Sequence, residues 1–283
     1  MTTLDEQERK PASEATSVTS IAPPNAVVAA VRVSRHYLTL YKTTWHGTLF
    51  SVTLLPFLYL MTFGIAVGAY VGEDAPIGDI TYLEFVAPGL LCATVIMMLS
   101  ADLTFPVFGG HKEWGGHYLA QRATPLRPVD LLNGQLLYAL GVRLPFGCVL
   151  FTIVVLAFGV YERPWMSPVA ILAAVGIGLA TGPWVFFLAS WIKKDQNLVI
   201  VQRLILVPMT LFSGVFYPVS QMPNFILPLI YASPMWHGVE IARFATAGTS
   251  TTWPIWANIL YLATLCATGW LAARHIITKR LSD

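Results

Sequence analysis

Between Phe108 and Asp130 the stretch FGGHKEWGGHYLAQRATPLRPVD places His111, Lys112, Glu113, Trp114, His117 and Tyr118 among four glycines, with long apolar runs on either side. Imidazoles and a carboxylate in one short segment are the raw material of a metal site or an acid–base pair. Neither is supported by the spacing. His111 and His117 fall on opposite sides of a helix, and Glu113 is the one carboxylate beside them, which is too few ligands for zinc. The glycines do not make a phosphate loop either. That loop needs Gly-x-x-x-x-Gly-Lys-Ser/Thr, so that backbone amides and the lysine wrap the phosphates, whereas Lys112 is followed by Glu113 and no strand precedes it. The string occurs nowhere in the chain, which excludes ATP hydrolysis by this chain alone. Two readings of the segment remain, a solvated inner loop and a docking element for a partner. EWGGHYLAQR is a short amphipathic piece, and Pro125 and Pro128 fix its exit.

Charges inside the apolar runs are the second source of chemistry, because a charge in hydrocarbon needs a partner, a watery path or a route to the interface. Asp102 lies about one helical turn from the inner end of the second apolar run. Arg143 lies roughly 18 Å into the third, at 1.5 Å per residue. Arg143 is therefore expected to face the bundle interior and to meet either Asp102 or an anionic headgroup. Arg203 is close enough to the inner surface to snorkel there. In HGVEIAR, His237, Glu240 and Arg243 recur at i, i+3 and i+6 and share a helix face. They form either a surface ion pair or a polar patch where a headgroup leaves the membrane. Cys92, Cys148 and Cys266 sit in apolar runs without paired spacing and read as small buried hydrophobes. No catalytic residue and no metal site is assigned.

The elements that position these residues follow from composition. Of 283 residues 55% are hydrophobic and 11% charged, and the mean hydropathy is +0.63, the composition of a membrane protein. A net charge of +2 from 17 basic and 15 acidic residues is too balanced for a nucleic-acid partner. A crossing needs about 20 mainly apolar residues, and six runs qualify, at about 47–70, 84–107, 131–160, 168–192, 198–216 and 253–275. Residues 1–25, rich in Ser, Thr, Pro and charge, read as a disordered cytosolic tail, and 26–283 as one transmembrane domain. Within it, Ala26 to His46 sets Val, Leu, Tyr and Trp against Arg32, Arg35, His36 and Lys42, an amphipathic helix expected on the inner leaflet.

Orientation follows from Lys and Arg, which collect on the cytoplasmic side. With the N-terminus inside, the inner segments carry Arg9, Lys10, Arg32, Arg35, Lys42, Lys112, Arg122, Arg127, Lys193, Lys194, Arg274, Lys279 and Arg280, and the outer ones only Arg163 and Arg243. Both termini are thus expected in the cytosol. Every tryptophan but Trp184 is expected near a span end, as a headgroup anchor. After the fifth span, Pro218, Pro223, Pro228 and Pro234 interrupt an apolar segment too often for a crossing. Broken backbone in lipid must pack against protein, so short helices dipping into the outer leaflet are expected there.

Three stretches together resemble one family: YLEFVAPGLLCATVIMM, YLAQRATPLRPVDLLNGQLL and SGVFYPVSQMPNFILPLIYASPMWHGVEIARFATAG. They are similar to the permeases of ABC type-2 transporters, nearest the branch of nodulation-factor and lipo-oligosaccharide exporters, with polysaccharide and daunorubicin-type drug exporters as relatives. The resemblance implies an all-α integral membrane protein of six transmembrane helices, with an N-terminal cytosolic amphipathic helix and re-entrant helices before the sixth span. It implies an exporter of an amphipathic substrate, lipid-linked saccharide or hydrophobic drug, out across the cytoplasmic membrane. It also implies two permeases, identical or different, and a separate ATPase subunit that binds the ATP and Mg, this chain holding no cofactor. Lys112, Glu113, Trp114, His117 and Tyr118 would then form the coupling contact. Asp102 and Arg143 would lie on the substrate path, and Pro218, Pro223, Pro234, His237, Glu240 and Arg243 would form the outer gate. The rivals are an ion-coupled secondary transporter, for which no internal repeat is found, and a membrane enzyme acting on lipid-linked sugars, for which His111, Glu113, His117 and Asp102 are a thin set.

Overall fold

A computed structural model describes residues 25–62, 80–110, 118 and 124–282. The expected tail, apart from Asn25, lies outside the described residues, as do the end of the expected first span and Lys112, Glu113, Trp114 and His117. The described chain is helical: α1 (Ala26–Met61), α2 (Tyr82–Leu103), α3 (Phe105–Gly110), α4 (Pro128–Tyr138), a π-helical turn (Ala139–Arg143), α5 (Leu144–Ala157), α6 (Ser167–Trp191), α7 (Asp195–Phe212), α8 (Leu227–Tyr231), α9 (Pro234–Ala247) and α10 (Ile255–Ser282).

Among the described residues four helical segments are long and apolar enough to cross a membrane: Tyr82–Gly110, Pro128–Ala157, Pro164–Trp191 and Ile255–Leu281. They correspond to the expected second, third, fourth and sixth spans. The expected fifth is a shorter apolar helix, because the chain leaves helix at Ser213 and Gly214 takes a positive φ of 74°. The amphipathic stretch is continuous with the start of the expected first span in the single helix α1. Ala29, Ala30, Val33, Ser34 and Tyr37 form its buried stripe, and Gly134 of α4 lies so close to Val33 that a Cβ there would overlap it.

Local signals set the helix starts. Thr81 caps α2: its hydroxyl accepts from the Glu84 amide at 3.3 Å, and the Glu84 carboxylate accepts from the Thr81 amide at 2.7 Å, a reciprocal pair that satisfies two orphan donors. Pro128 and Pro168 occupy first-turn positions of α4 and α6, where a missing N–H costs nothing.

α6 is the hub, packed on α2, α5, α9 and α10. Its Ala170, Ala174, Gly178 and Gly182 recur every fourth residue and are buried, so neighbouring backbones approach closely, the small-residue packing that membrane helices use in place of a hydrophobic driving force. A side chain at Gly178 would meet Leu144, and one at Gly182 would meet Leu140 at 3.0 Å. On a neighbouring face Gly238 of α9 rests against Ile177. The start of α2, the α5–α6 turn and the end of α9 gather at one end of the bundle, where the Arg163 amide donates to Thr246 O at 3.0 Å. The ends of α6 and α10 meet at the other, where Arg280 donates to the carbonyls of Ser190 and Ile192, a basic residue covering helix-terminal acceptors.

Gly238→Val is expected to lower unfolding stability in detergent by about 1–3 kcal/mol through overpacking against Ile177. Gly176→Ala, whose new methyl would meet Leu262 at an ordinary 3.6 Å, is expected to leave it within about 0.5 kcal/mol. Thermal unfolding followed by tryptophan fluorescence separates the two.

Candidate functional site

The inner cluster begins with a carboxylate at the end of an apolar helix. Asp102 of α2 forms an ion pair with the Nε of Arg143, the two side chains being 12% and 15% exposed. The expectation that Arg143 turns inward to Asp102 is what the geometry has. The π turn explains how it reaches. Pro145 has no N–H for the carbonyl of Gly141, and its ring crowds that carbonyl. The preceding turn therefore opens, and the Leu144 amide bonds to Ala139 O, five residues back. Arg143 closes that turn and also lies over the Tyr41 ring, 5.0 Å from its centroid. Tyr138 stacks on Tyr37 at 5.6 Å and meets Tyr41 edge-on, so α1 braces the face that carries the pair.

Gln135 ties this pair to the loop. Its Oε1 accepts from the phenols of Tyr118 and Tyr37, the latter at 3.3 Å, and its Nε2 donates to Asp102 O at 3.4 Å. Tyr118 and Gln135 are almost fully buried. Burial pushes the Tyr37 phenol up to about 12 and the Tyr118 phenol well above its ordinary value, so both stay protonated donors at neutral pH. Of the expected coupling residues, Tyr118 is thus tied into the bundle core. Gln135, Tyr37, Tyr41 and Tyr138 were not singled out from sequence. A glutamine in the apolar run LLNGQLLYAL carried the signal, since an amide in a span needs partners as a charge does.

At the opposite end His237 and Arg243 are buried, not on a surface. Arg243 donates from Nε and Nη2 to Phe85 O at 3.2 and 3.1 Å and from Nη2 to Gly214 O at 2.9 Å, its guanidinium 3.7 Å from the Phe85 ring centroid. It staples α9 to α2 and to the exit of α7. Glu240 does not serve it as a surface partner: its carboxylate accepts from the Thr252 amide at 2.6 Å. His237 sits 2.6 Å from Asn258 Oδ1 and 2.9 Å from Tyr231 O, with Tyr261 stacked at 4.0 Å. The surface-pair reading fails because α9 is wedged against α6, α2 and α10, which buries Arg243 among the backbone carbonyls it meets. Pro234 is buried at the start of α9, Pro218 is half-buried and Pro223 exposed. Trp165, Trp191 and Trp256 are exposed at helix ends as expected, whereas Trp236 is buried among Tyr231, His237 and Trp253. Arg203, expected to reach the interface, lines a cavity between α2 and α7.

Fold and site define a class: an integral membrane helical bundle whose buried polar groups brace helices against one another. The chain belongs to the ABC-2 type transporter family, whose model matches residues 28–246, and is accordingly a transport permease. It is 23% identical to nodulation protein J of Neorhizobium galegae over 88% of this chain and 91% of the relative. It is 23% identical to nodulation protein J of Rhizobium leguminosarum bv. trifolii over 80% and 84%, and 22% identical to the inner membrane transport permease YadH of Escherichia coli K12 over 74% and 78%.

Breaking the inner pair leaves one buried charge alone. Asp102→Leu and Arg143→Leu are each expected to cost about 3–5 kcal/mol of stability, and the double variant far less than their sum. Denaturant unfolding of the purified chain in detergent, read as a double-mutant cycle, gives the coupling. Arg243→Lys cannot reach Phe85 O and Gly214 O together and is expected to cost about 1–3 kcal/mol in the same assay.

Proposed function

We propose that this chain is the membrane half of an ATP-driven exporter that carries an amphipathic substrate, a lipid-linked saccharide or a hydrophobic drug, outward across the cytoplasmic membrane. Both termini lie in the cytosol, and the substrate path passes the Asp102–Arg143 region. A separate ATPase subunit binds ATP and Mg, docks on the segment from Phe108 to Asp130 through Lys112, Glu113, Trp114 and His117, and pushes it when its nucleotide sites close, Tyr118 being the buried residue that ties the segment to the bundle. Two permeases, two copies of this chain or this chain with a different one, face each other around the path.

The observation that carries the reading is the run of contacts from Tyr118 through Gln135 to Asp102 and Arg143. A displacement of the docking segment would pull on α4 and on the π turn at the same time. A π turn has fewer well-formed hydrogen bonds than the helix around it, and such turns recur at functional positions. Two arrangements of that turn within a few kcal/mol of each other would suffice for switching.

Support for a re-entrant outer gate comes from the order of contacts after α7. Phe216 O accepts from Tyr82 at the start of α2, Gly238 lies against Ile177 well along α6, and Thr246 is back beside Arg163. A chain that goes in and returns at one end does not cross. Support for the orientation comes from the described basic residues Arg127, Lys193, Lys194, Lys279 and Arg280, which stand at the end opposite that gate, where Arg280 meets the end of α6.

The test is reconstitution of this chain with a candidate ATPase subunit. Wild type is expected to couple hydrolysis to outward movement of a labelled glycolipid or lipophilic dye, and Trp114→Cys to cross-link to the ATPase from the inner face. Tyr118→Phe and Gln135→Leu are expected to keep ATPase binding but to lower transport per ATP about tenfold. Hydrolysis or transport by the lone chain, or labelling of Trp114→Cys from outside intact cells, contradicts the proposal.

A further inference from the structure

A cavity of about 660 Å³ lies between α2 and α7, with Tyr59 of α1 and Phe151 of α5 also lining it. Its walls are apolar, with Ile96 and Met97 of α2 facing Leu206, Val207 and Leu211 of α7. Polar groups are few. Thr94 and Thr210 line it but spend their hydroxyl protons on Leu90 O and Leu206 O of their own helices, and Ser100 lines it nearer the end of α2. None of the lining residues is a carboxylate.

The charge of this cavity is Arg203. Its side chain is exposed. The other deep arginines of the bundle are engaged, Arg143 by Asp102 and Arg243 by backbone carbonyls. A guanidinium in an apolar wall must snorkel towards the interface or take a partner, so Arg203 is available to an anion that enters the cavity, and its planar fork suits phosphate, sulfate or carboxylate oxygens. The cavity is also polarised along its length. Val199, Arg203, Ser100 and Phe105 stand towards the end where α2 finishes and α7 begins, and Leu90, Leu211 and Phe216 towards the other.

We propose that this cavity binds an amphipathic anion, with its head on Arg203 and its hydrocarbon laid along α2 and α7. For direction of travel the assignment rests on the export function above; the sign of the headgroup is what it adds. The same chemistry could come from a transported substrate or from a resident anionic lipid.

The probes are a dansyl-labelled alkyl phosphate and the same labelled alkyl chain bearing a neutral maltoside, each titrated against the full chain with its ATPase in nanodiscs of phosphatidylcholine alone. Wild type is expected to hold the phosphate at least about tenfold more tightly, the size of a charge-assisted hydrogen bond. Arg203→Gln is expected to lose that preference, Arg203→Lys to keep part of it, and Arg203→Glu to favour an alkylammonium instead. Equal binding of the two probes by wild type overturns the proposal, as does an unchanged preference in an Arg203→Gln chain of wild-type thermal stability. The sources separate in two arms. A substrate is moved across proteoliposomes by ATP, whereas a resident lipid is not moved and is displaced by added phosphatidylglycerol; either supports the site, and selective binding that is neither moved nor displaced overturns it. Failure of the export function looks different, since ATP would then move no amphipath of either head while the Arg203-dependent preference and its displacement by phosphatidylglycerol persisted.

Discussion

The hydrocarbon core of a bilayer offers no water to a polar side chain, so a charged or amide group buried in this bundle needs its partner in protein. The inner and outer polar clusters follow from that constraint. Asp102 is held by Arg143, Gln135 is surrounded by two phenols and a backbone carbonyl, and Arg243 is spent on Phe85 O and Gly214 O. His237 is closed in by Asn258, Tyr231 and Tyr261. Each partner lies on a different element, so satisfying the polar group and fixing the helix arrangement are one event.

Packing and polarity divide the labour. α6, with its small residues every fourth position, lets α2, α5, α9 and α10 come close, and dispersion contacts hold them without regard to direction. Polar contacts then set the register at the two ends, Arg243 at one and the Gln135–Asp102–Arg143 group at the other. The second group includes the π turn forced by Pro145, the place in the third crossing where backbone bonding is least regular. A permease must be rigid within helices and adjustable between them, and this distribution has that character.

Much of this was legible in residues. Hydropathy located the crossings at α2, α4–α5, α6 and α10, because uninterrupted apolar length is a strong signal. The cost of burying a charge alone pointed to a partner for Arg143, either Asp102 or an anionic headgroup, and the structure has Asp102. The proline spacing marked α8 and α9 as too broken to cross. Three things were not legible. The reversal at Ser213 and Gly214 that shortens α7 lies in a run as apolar as the helix itself. The burial of Arg243 depends on α9 being wedged into the bundle, and helical periodicity reports a shared face without saying what covers it. The continuity of α1 was missed because charges at Arg32, Arg35 and Lys42 read as an interfacial piece, whereas the stripe beginning at Ala29 packs on α4. Pro145, two residues after Arg143, could have been read as a local opening of the helix and was not.

Membership of the ABC-2 type transporter family gives the bundle its role as a transport permease, and the proposed coupling gives the inner polar group a job. The central claim is that motion of the docking segment reaches the third crossing through Tyr118, Gln135 and Asp102, which a measurement of coupling tests. Amide hydrogen exchange on the reconstituted permease–ATPase complex, with ATP trapped in the partner and without it, tests this most directly. The account predicts that trapping changes exchange at Ala139–Arg143 together with the docking segment. A change confined to that segment, with the π turn exchanging at the same rate in both states, would contradict it.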